Sequence, residues 1–497
     1  MKESAFLVMK FVSTRDAARR EYAPHEVIKA GIAPDGGLFF PVEIPKLTKY
    51  EYIGLMPFDY AHRASRVISA YLTDLDKRDI ESSCISAYSE KAFPEGAAPV
   101  VNVNGNYFLE LYHGPTCAFK DMALQLMPHL LALSVKKSGA SGDAVILVAT
   151  SGDTGKAALE GFADVKGTRI AVFFPENGVS EIQKKQMQTQ RGSNVLVCGV
   201  NGNFDDCQTA VKTVFRDRAT IDALEKENCF FSSANSINFG RLVPQVAYYV
   251  SACLDMGEEC NITVPTGNFG NILAAYMAKK MGAPIGKLVC ASNRNNVLTD
   301  FFETGVYDRK REFYLTSSPS MDILVSSNLE RLLWMVCGPE KTALYMEDLK
   351  TTGAFKVDRE TLNALKNDFA AYYADETQVS AAIARSWRRN GYLIDTHTAA
   401  GLHAAEKYKK ETGDSRPMLV VSTASPFKFA PAVCAALEIK AGHGFAAADA
   451  LAEATGKPIP APIAGIRETP DRFTDVIDPS GIAAAVRGFV QSSSLAR

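Results

Sequence analysis

The chain has 497 residues, 47% of them hydrophobic, enough for two or three domains with buried cores. Its 54 Lys plus Arg nearly balance 56 Asp plus Glu, so no global field draws it to nucleic acid or to an anionic membrane. Ten cysteines without a Cys-x-x-Cys pair read as reduced thiols in a cytosolic protein, not as a disulfide framework or a zinc site. In chain order, residues 1–98 are expected to form an N-terminal domain that ends at the turn-rich Phe93-Pro-Glu-Gly-Ala-Ala-Pro99. A Gly-Pro turn at Gly114 then feeds a helix predicted over 119–136. Strand-like runs follow at 144–149, 170–174, 195–200, 262–265 and 288–291, with amphipathic stretches between them. That βα rhythm predicts an α/β fold with a parallel sheet. A smaller α/β lobe over 141–240 should pack on a larger lobe built from 99–140 and 241–440. The tail, 441–497, is rich in Ala, Pro and Gly and reads as a peripheral extension.

The chemistry begins at His113-Gly-Pro-Thr-Cys-Ala-Phe-Lys120-Asp-Met. One lysine is fixed there between a turn and an apolar helix start, flanked by Phe119 and Met122. Partial desolvation lowers an amine's pKa and suits it to Schiff-base formation with an aldehyde. Most lysines are exposed helix residues, so the reading needs support from elsewhere. Two glycine-rich turns between strand and helix supply it. Thr150-Ser-Gly-Asp-Thr-Gly155 follows one apolar run, and Thr266-Gly-Asn-Phe-Gly-Asn271 follows another. Each aims backbone N–H groups at an anion. A nucleotide phosphate loop is excluded at the first, because its leading glycine would fall on Thr150 and its closing Ser/Thr on Ala157. Either turn alone is common in α/β proteins. Together with Lys120 they fit a phosphorylated aldehyde and an amino-acid carboxylate.

These runs, with Ser236-Ile-Asn-Phe-Gly-Arg241, Pro319-Ser-Met-Asp-Ile323 and the start Phe11-Val-Ser-Thr-Arg15, closely resemble the ordered motifs of the threonine synthase family. The likeness covers roughly residues 10–430 and is nearest to the longer bacterial and fungal members. It implies a tryptophan synthase β-like pyridoxal-phosphate fold (fold type II) with an added N-terminal domain. The implied reaction is a carbon–oxygen lyase step in threonine biosynthesis that turns O-phospho-L-homoserine and water into L-threonine and phosphate. Carried over residue by residue, the resemblance makes Lys120 the Schiff-base lysine for pyridoxal 5'-phosphate. Gly267, Asn268, Phe269 and Asn271 would hold the cofactor phosphate, and Thr423 would face the pyridine nitrogen. Ser151, Gly152, Asp153 and Thr154 would bind the substrate α-carboxylate, and Ser236, Asn238 and Arg241 its phosphate. The sequence departs from the family pattern at Ser425, where histidine is usual, and at Phe427, where a small residue is usual.

Two other classes compete: a related phospholyase or amino-acid dehydratase on the same fold, and a non-catalytic relative. Intact Lys120 and both anion turns weigh against lost catalysis. No metal site is expected, since His397 and His403 are poorly spaced for one helical face and no cysteine cluster accompanies them. His113 reads as structural, Cys117 as a small buried hydrophobe, and Arg309-Lys-Arg311 as a solvated loop. No run of about eighteen apolar residues occurs, and the leading Met1–Met9 segment lacks the apolar core of a secretory signal. The expectation is a soluble cytoplasmic enzyme with a small-molecule substrate, no nucleic-acid or membrane partner, and an open choice between monomer and homodimer.

Overall fold

The computed structural model describes residues 8–150 and 152–492; Ser151 and the first seven residues, part of the segment weighed as a signal, lie outside them. Two sheets organise the chain. The larger has six strands in the order Phe369–Tyr373, Ile285–Ser292, Cys260–Pro265, Met418–Ser422, Asn106–Glu110, Val100–Val103. All neighbours are parallel except the last pair, an edge hairpin. Ile262 sits at the centre of the register, paired with Leu288 on one side and Leu419 on the other. The second sheet has five parallel strands in the order Val476–Ile477, Val195–Val200, Thr168–Pro175, Asp143–Ala149, Cys229–Ser232. Helices cover both faces of parallel sheets, so their strands become continuous apolar runs. Thr168–Pro175 is buried at every position.

The N-terminal segment docks on a long helix, Phe239–Met256, that is buried from Phe239 to Leu254. Phe11 meets Phe239 edge-on at 4.8 Å between ring centres. Arg15 clamps the buried Glu330 carboxylate with two hydrogen bonds of 2.8 and 2.7 Å, which ties the N-terminal segment to the large lobe. A paired planar guanidinium is the geometry that best offsets the cost of burying a carboxylate.

Two expectations are corrected. The helix predicted over 119–136 is two helices, Lys120–Leu124 and Met127–Lys137. Pro128 lies in the first turn of the second, where a missing N–H costs nothing, and one continuous helix through it would lose a hydrogen bond. The tail does not stand apart as an appendage. Val476–Ile477 adds an edge strand beside Val195–Val200, and the helix Ile482–Ser492 buries Ile482, Val486 and Val490 against the same lobe.

The loops that matter all leave the carboxyl ends of parallel strands: 111–119, 233–238, 266–269 and 423–425, with Thr150 likewise following Asp143–Ala149. In open parallel sheets these ends face the crevice where ligands bind.

Candidate active site

Lys120 opens its helix from a turn that is locked by its own residues. Asp121 accepts from the Thr116 backbone N–H at 2.8 Å and from the Thr116 hydroxyl at 2.6 Å. Gly114 is required there, because a Cβ at that position would lie 2.6 Å from an Asp121 oxygen. The turn is then stitched to the segment after Met418–Ser422. Phe119 N–H donates to the Thr423 carbonyl at 2.8 Å, and Ser425 N–H donates to the Cys117 carbonyl at 3.0 Å. Lys120 and Thr423 therefore belong to one short backbone pairing.

The Lys120 amine is buried, 3.2 Å from the Ser320 hydroxyl and 3.4 Å from an Asp153 carboxylate oxygen. Burial lowers its pKa most; Asp153 opposes that, and the cations Lys428 and Arg241 reinforce it. Ser320 is held in turn by its backbone N–H, which donates to His397 Nε2 at 3.2 Å, while His397 Nδ1 faces Asp395 at 2.7 Å.

Two buried donors, on the packed helices Phe239–Met256 and Gly270–Met281, are not used by the fold. Arg241 gives Nη1 to the Ala234 carbonyl at 2.7 Å, but its buried Nε has no partner. Burial drops that guanidinium to about 10. Asn271 Oδ1 accepts from the Tyr248 and Tyr249 hydroxyls, and its buried Nδ2 also has no partner. Phe269 takes the left-handed backbone conformation, φ +63°, at the start of the helix Gly270–Met281. That bend presents the first N–H groups of the helix together. Gly267 lies so close to Ser320 that a Cβ would stand 2.6 Å from the Ser320 carbonyl oxygen. Asn268 is exposed, and its carbonyl accepts from Asn328 N–H at 3.0 Å. A buried amine, two unpartnered buried donors and a helix start beside a mandatory glycine fit a phosphorylated aldehyde.

Three family models match in order along the chain: the threonine synthase N terminus at residues 10–88, the pyridoxal-phosphate dependent enzymes at 95–424, and the threonine synthase C-terminal model at 398–490. Threonine synthase from Pseudomonas aeruginosa is 37% identical over 94% of this chain and 95% of its own. The chain belongs to the threonine synthase family. The pyridoxal-phosphate-bound threonine synthase of Brucella melitensis superposes with a TM-score of 0.87 and 36% identity, covering 97% of this chain and 100% of that one. Threonine synthase-like 1 of Macaca fascicularis is 42% identical over 88% of this chain. The chain spans only 61% of that relative's length. The fold is thus the α/β fold of threonine synthases with their N-terminal domain, and the cofactor is pyridoxal 5'-phosphate.

Within that family frame, two expected substrate contacts are reassigned. Asn238 was expected at the substrate phosphate, yet its side chain is fully consumed by the fold. It caps Phe239–Met256 by accepting from Gly240 N–H at 2.8 Å, and it donates to the Ile28 and Ser233 carbonyls at 3.0 and 2.8 Å. The side chain of Asp153, a residue expected at the substrate carboxylate, carries the same charge as that group and leaves only the backbone N–H for such a contact. Its oxygens instead take Lys428 at 2.6 Å, Gln183 Nε2 at 3.0 Å and Lys120 at 3.4 Å. Burial alone would raise Asp153, but Lys428 and Lys120 outweigh it and hold it far below the carboxylate range. Gly152, buried at φ +135°, and half-buried Thr154 remain at the start of the helix Asp153–Phe162. Ser236 is half-buried beside the Asn328 amide, which donates to its carbonyl at 3.2 Å.

The residues that depart from the family pattern, Ser425 and Phe427, form the turn that follows Thr423. Ser425 Oγ accepts from Phe427 N–H at 3.3 Å and starts the tight turn Pro426–Phe429. Both residues line a cavity of roughly 750 Å³ that also includes His113 and Cys117. His113 pairs there with Glu110 at 2.7 Å. The reading of the sequence missed Lys428, Ser320 and His397 as neighbours of the site. Among the described residues no group of three or more His, Cys, Asp or Glu could hold a metal ion, and no helix is long and apolar enough to cross a membrane.

Proposed function

We propose that this chain is a threonine synthase, converting O-phospho-L-homoserine and water to L-threonine and phosphate in the cytoplasm. The observation that carries the reading is the Lys120 amine, buried between a carboxylate and a hydroxyl, with an unpartnered Arg241 nitrogen in electrostatic range. Pyridoxal phosphate, when bound, supplies the electron sink for charge that develops on carbons beside the substrate nitrogen.

The chain's own groups do the rest. Lys120 would hold the cofactor aldehyde, and its Nζ, when not so engaged, would carry a proton from Cα and then from Cβ. An amine whose pKa burial lowers is better suited to both transfers than an exposed lysine. Gly267, Asn268, Phe269 and Asn271 would bind the cofactor phosphate through the start of Gly270–Met281, and Thr423 would offer its hydroxyl to the ring nitrogen. Ser151, Gly152 and Thr154 hold the α-carboxylate by their N–H groups. Ser236 and Arg241 hold the substrate phosphate and stabilise its charge as it leaves from Cγ. In a dry site such a guanidinium gains more than it would in water. Ten cysteines without a disulfide agree with a cytosolic setting.

The test is product analysis on the purified protein with cofactor and O-phospho-L-homoserine, with threonine, keto acid and inorganic phosphate quantified separately. Equimolar threonine and phosphate support the proposal. Phosphate with keto acid and no threonine would replace it with a phospholyase.

A further inference from the structure

Asp153 is shared by two buried lysines, and the sharing is unequal. Lys428 Nζ lies 2.6 Å from Oδ1, whereas Lys120 Nζ lies 3.4 Å from Oδ2. Coulomb attraction falls with distance, and only the first contact is a strong charge-assisted hydrogen bond. Lys428 is fully buried and gives a second hydrogen bond, 2.8 Å long, to the carbonyl of Thr116. Its ammonium thus bridges the start of the small-lobe helix Asp153–Phe162 and the turn that presents Lys120.

We propose that Lys428 is a positioning residue for Lys120: it takes up the charge of Asp153, so that the carboxylate orients the Lys120 amine without holding it as a permanent ammonium. The groups facing Lys120 make this balance delicate. Asp153 comes from the small-lobe helix, Lys428 from the turn Pro426–Phe429 and Arg241 from Phe239–Met256. Ser320 comes from Pro319–Met321, backed by His397 and Asp395. On its own helix, Asp121 is turned to Thr116. Among them Asp153 is the one anion that reaches the amine. Without Lys428, the neutral Gln183 amide, 3.0 Å from Oδ1, would be left to share that carboxylate with the amine, and Lys120 would be protonated more tightly.

The inference rests on Lys120 being the cofactor lysine. The experiment measures, against pH, the acid limb of kcat and the rate at which cofactor-free full-length protein captures pyridoxal phosphate, followed by its visible band. Both need the neutral amine. Lys428→Met should move both midpoints up by about one pH unit or more, Lys428→Arg should restore them, and Asp153→Asn should move them down. If Lys428→Met does not fold, Lys428→Gln serves on the same two readouts, and midpoints equal to those of the wild type overturn the proposal. Unmoved midpoints with a raised KM would also overturn it, making Lys428 a direct ligand of a substrate anion. Lys120→Ala is the separate control. If it still forms the band, the assignment of Lys120 fails, whatever Lys428 does.

Discussion

Gly267→Ala tests whether the cofactor turn and the lysine are one rigid unit. The added Cβ would stand 2.6 Å from the Ser320 carbonyl oxygen, and ordinary contact begins at 3.4 Å. One side must therefore retreat by about 0.8 Å, an overpacking that typically costs about 1–3 kcal/mol. Neither side is soft. The Gly267 carbonyl is tied to the Ser326 hydroxyl at 2.8 Å, and Ser320 is tied to His397 and to Lys120, both at 3.2 Å. Ser320 therefore moves against Lys120, and a misplacement near 1 Å is worth roughly a hundredfold in rate. The expected result is kcat down about tenfold to a hundredfold, with a few degrees lost in Tm. Thermal melts and steady-state kinetics on matched preparations measure both. Wild-type kcat with a lowered Tm would show that Ser320 does not transmit position to the lysine, and unchanged values of both would refute the close approach itself.

Arg241→Ala should cost O-phosphohomoserine roughly 2–4 kcal/mol in kcat/KM while sparing any weak reaction with serine or threonine; equal losses on all three would make Arg241 structural. Thr423→Val should lower kcat more than Tm, because it removes a hydroxyl and nearly preserves volume, and an unchanged kcat would separate Thr423 from the ring nitrogen. Burial pushes the Asp121 carboxyl up to about 6, against hydrogen bonds from Thr116 that lower it. Since this folded value lies above the unfolded one, the stability the group contributes is complete below about pH 4 and is lost as pH rises through its folded value. Asp121→Asn should flatten that part of the pH–Tm curve, and an unaltered slope there would contradict the shift.

The site was legible wherever its residues are neighbours in sequence. The turns at 150–155 and 266–271 could be read because glycine placement between an apolar run and a helix is local information. Lys428 was not legible, although it lies beside Phe427. Its partner Asp153 starts a helix in the other lobe, and only the tertiary fold brings a lysine between two phenylalanines onto that carboxylate. Asn238 differs in that its role is local. An asparagine just before a long apolar helix is a local cap signal, and here the cap uses both donors of its amide. Pro128 likewise marks its helix break locally. The edge strand Val476–Ile477 has only two residues, too few for any alternation to show, and exists because Val195–Val200 offers it an edge.

The central claim is that Lys120 drives a replacement that ends with water adding at Cβ. Turnover of O-phospho-L-homoserine in heavy-oxygen water, with mass spectrometry of the products, tests it most directly. The account predicts threonine carrying the heavy oxygen in its side-chain hydroxyl, phosphate without it from Cγ–O cleavage, and neither product from Lys120→Ala. Unlabelled threonine, label confined to phosphate, or a Lys120→Ala protein that still turns over would contradict it.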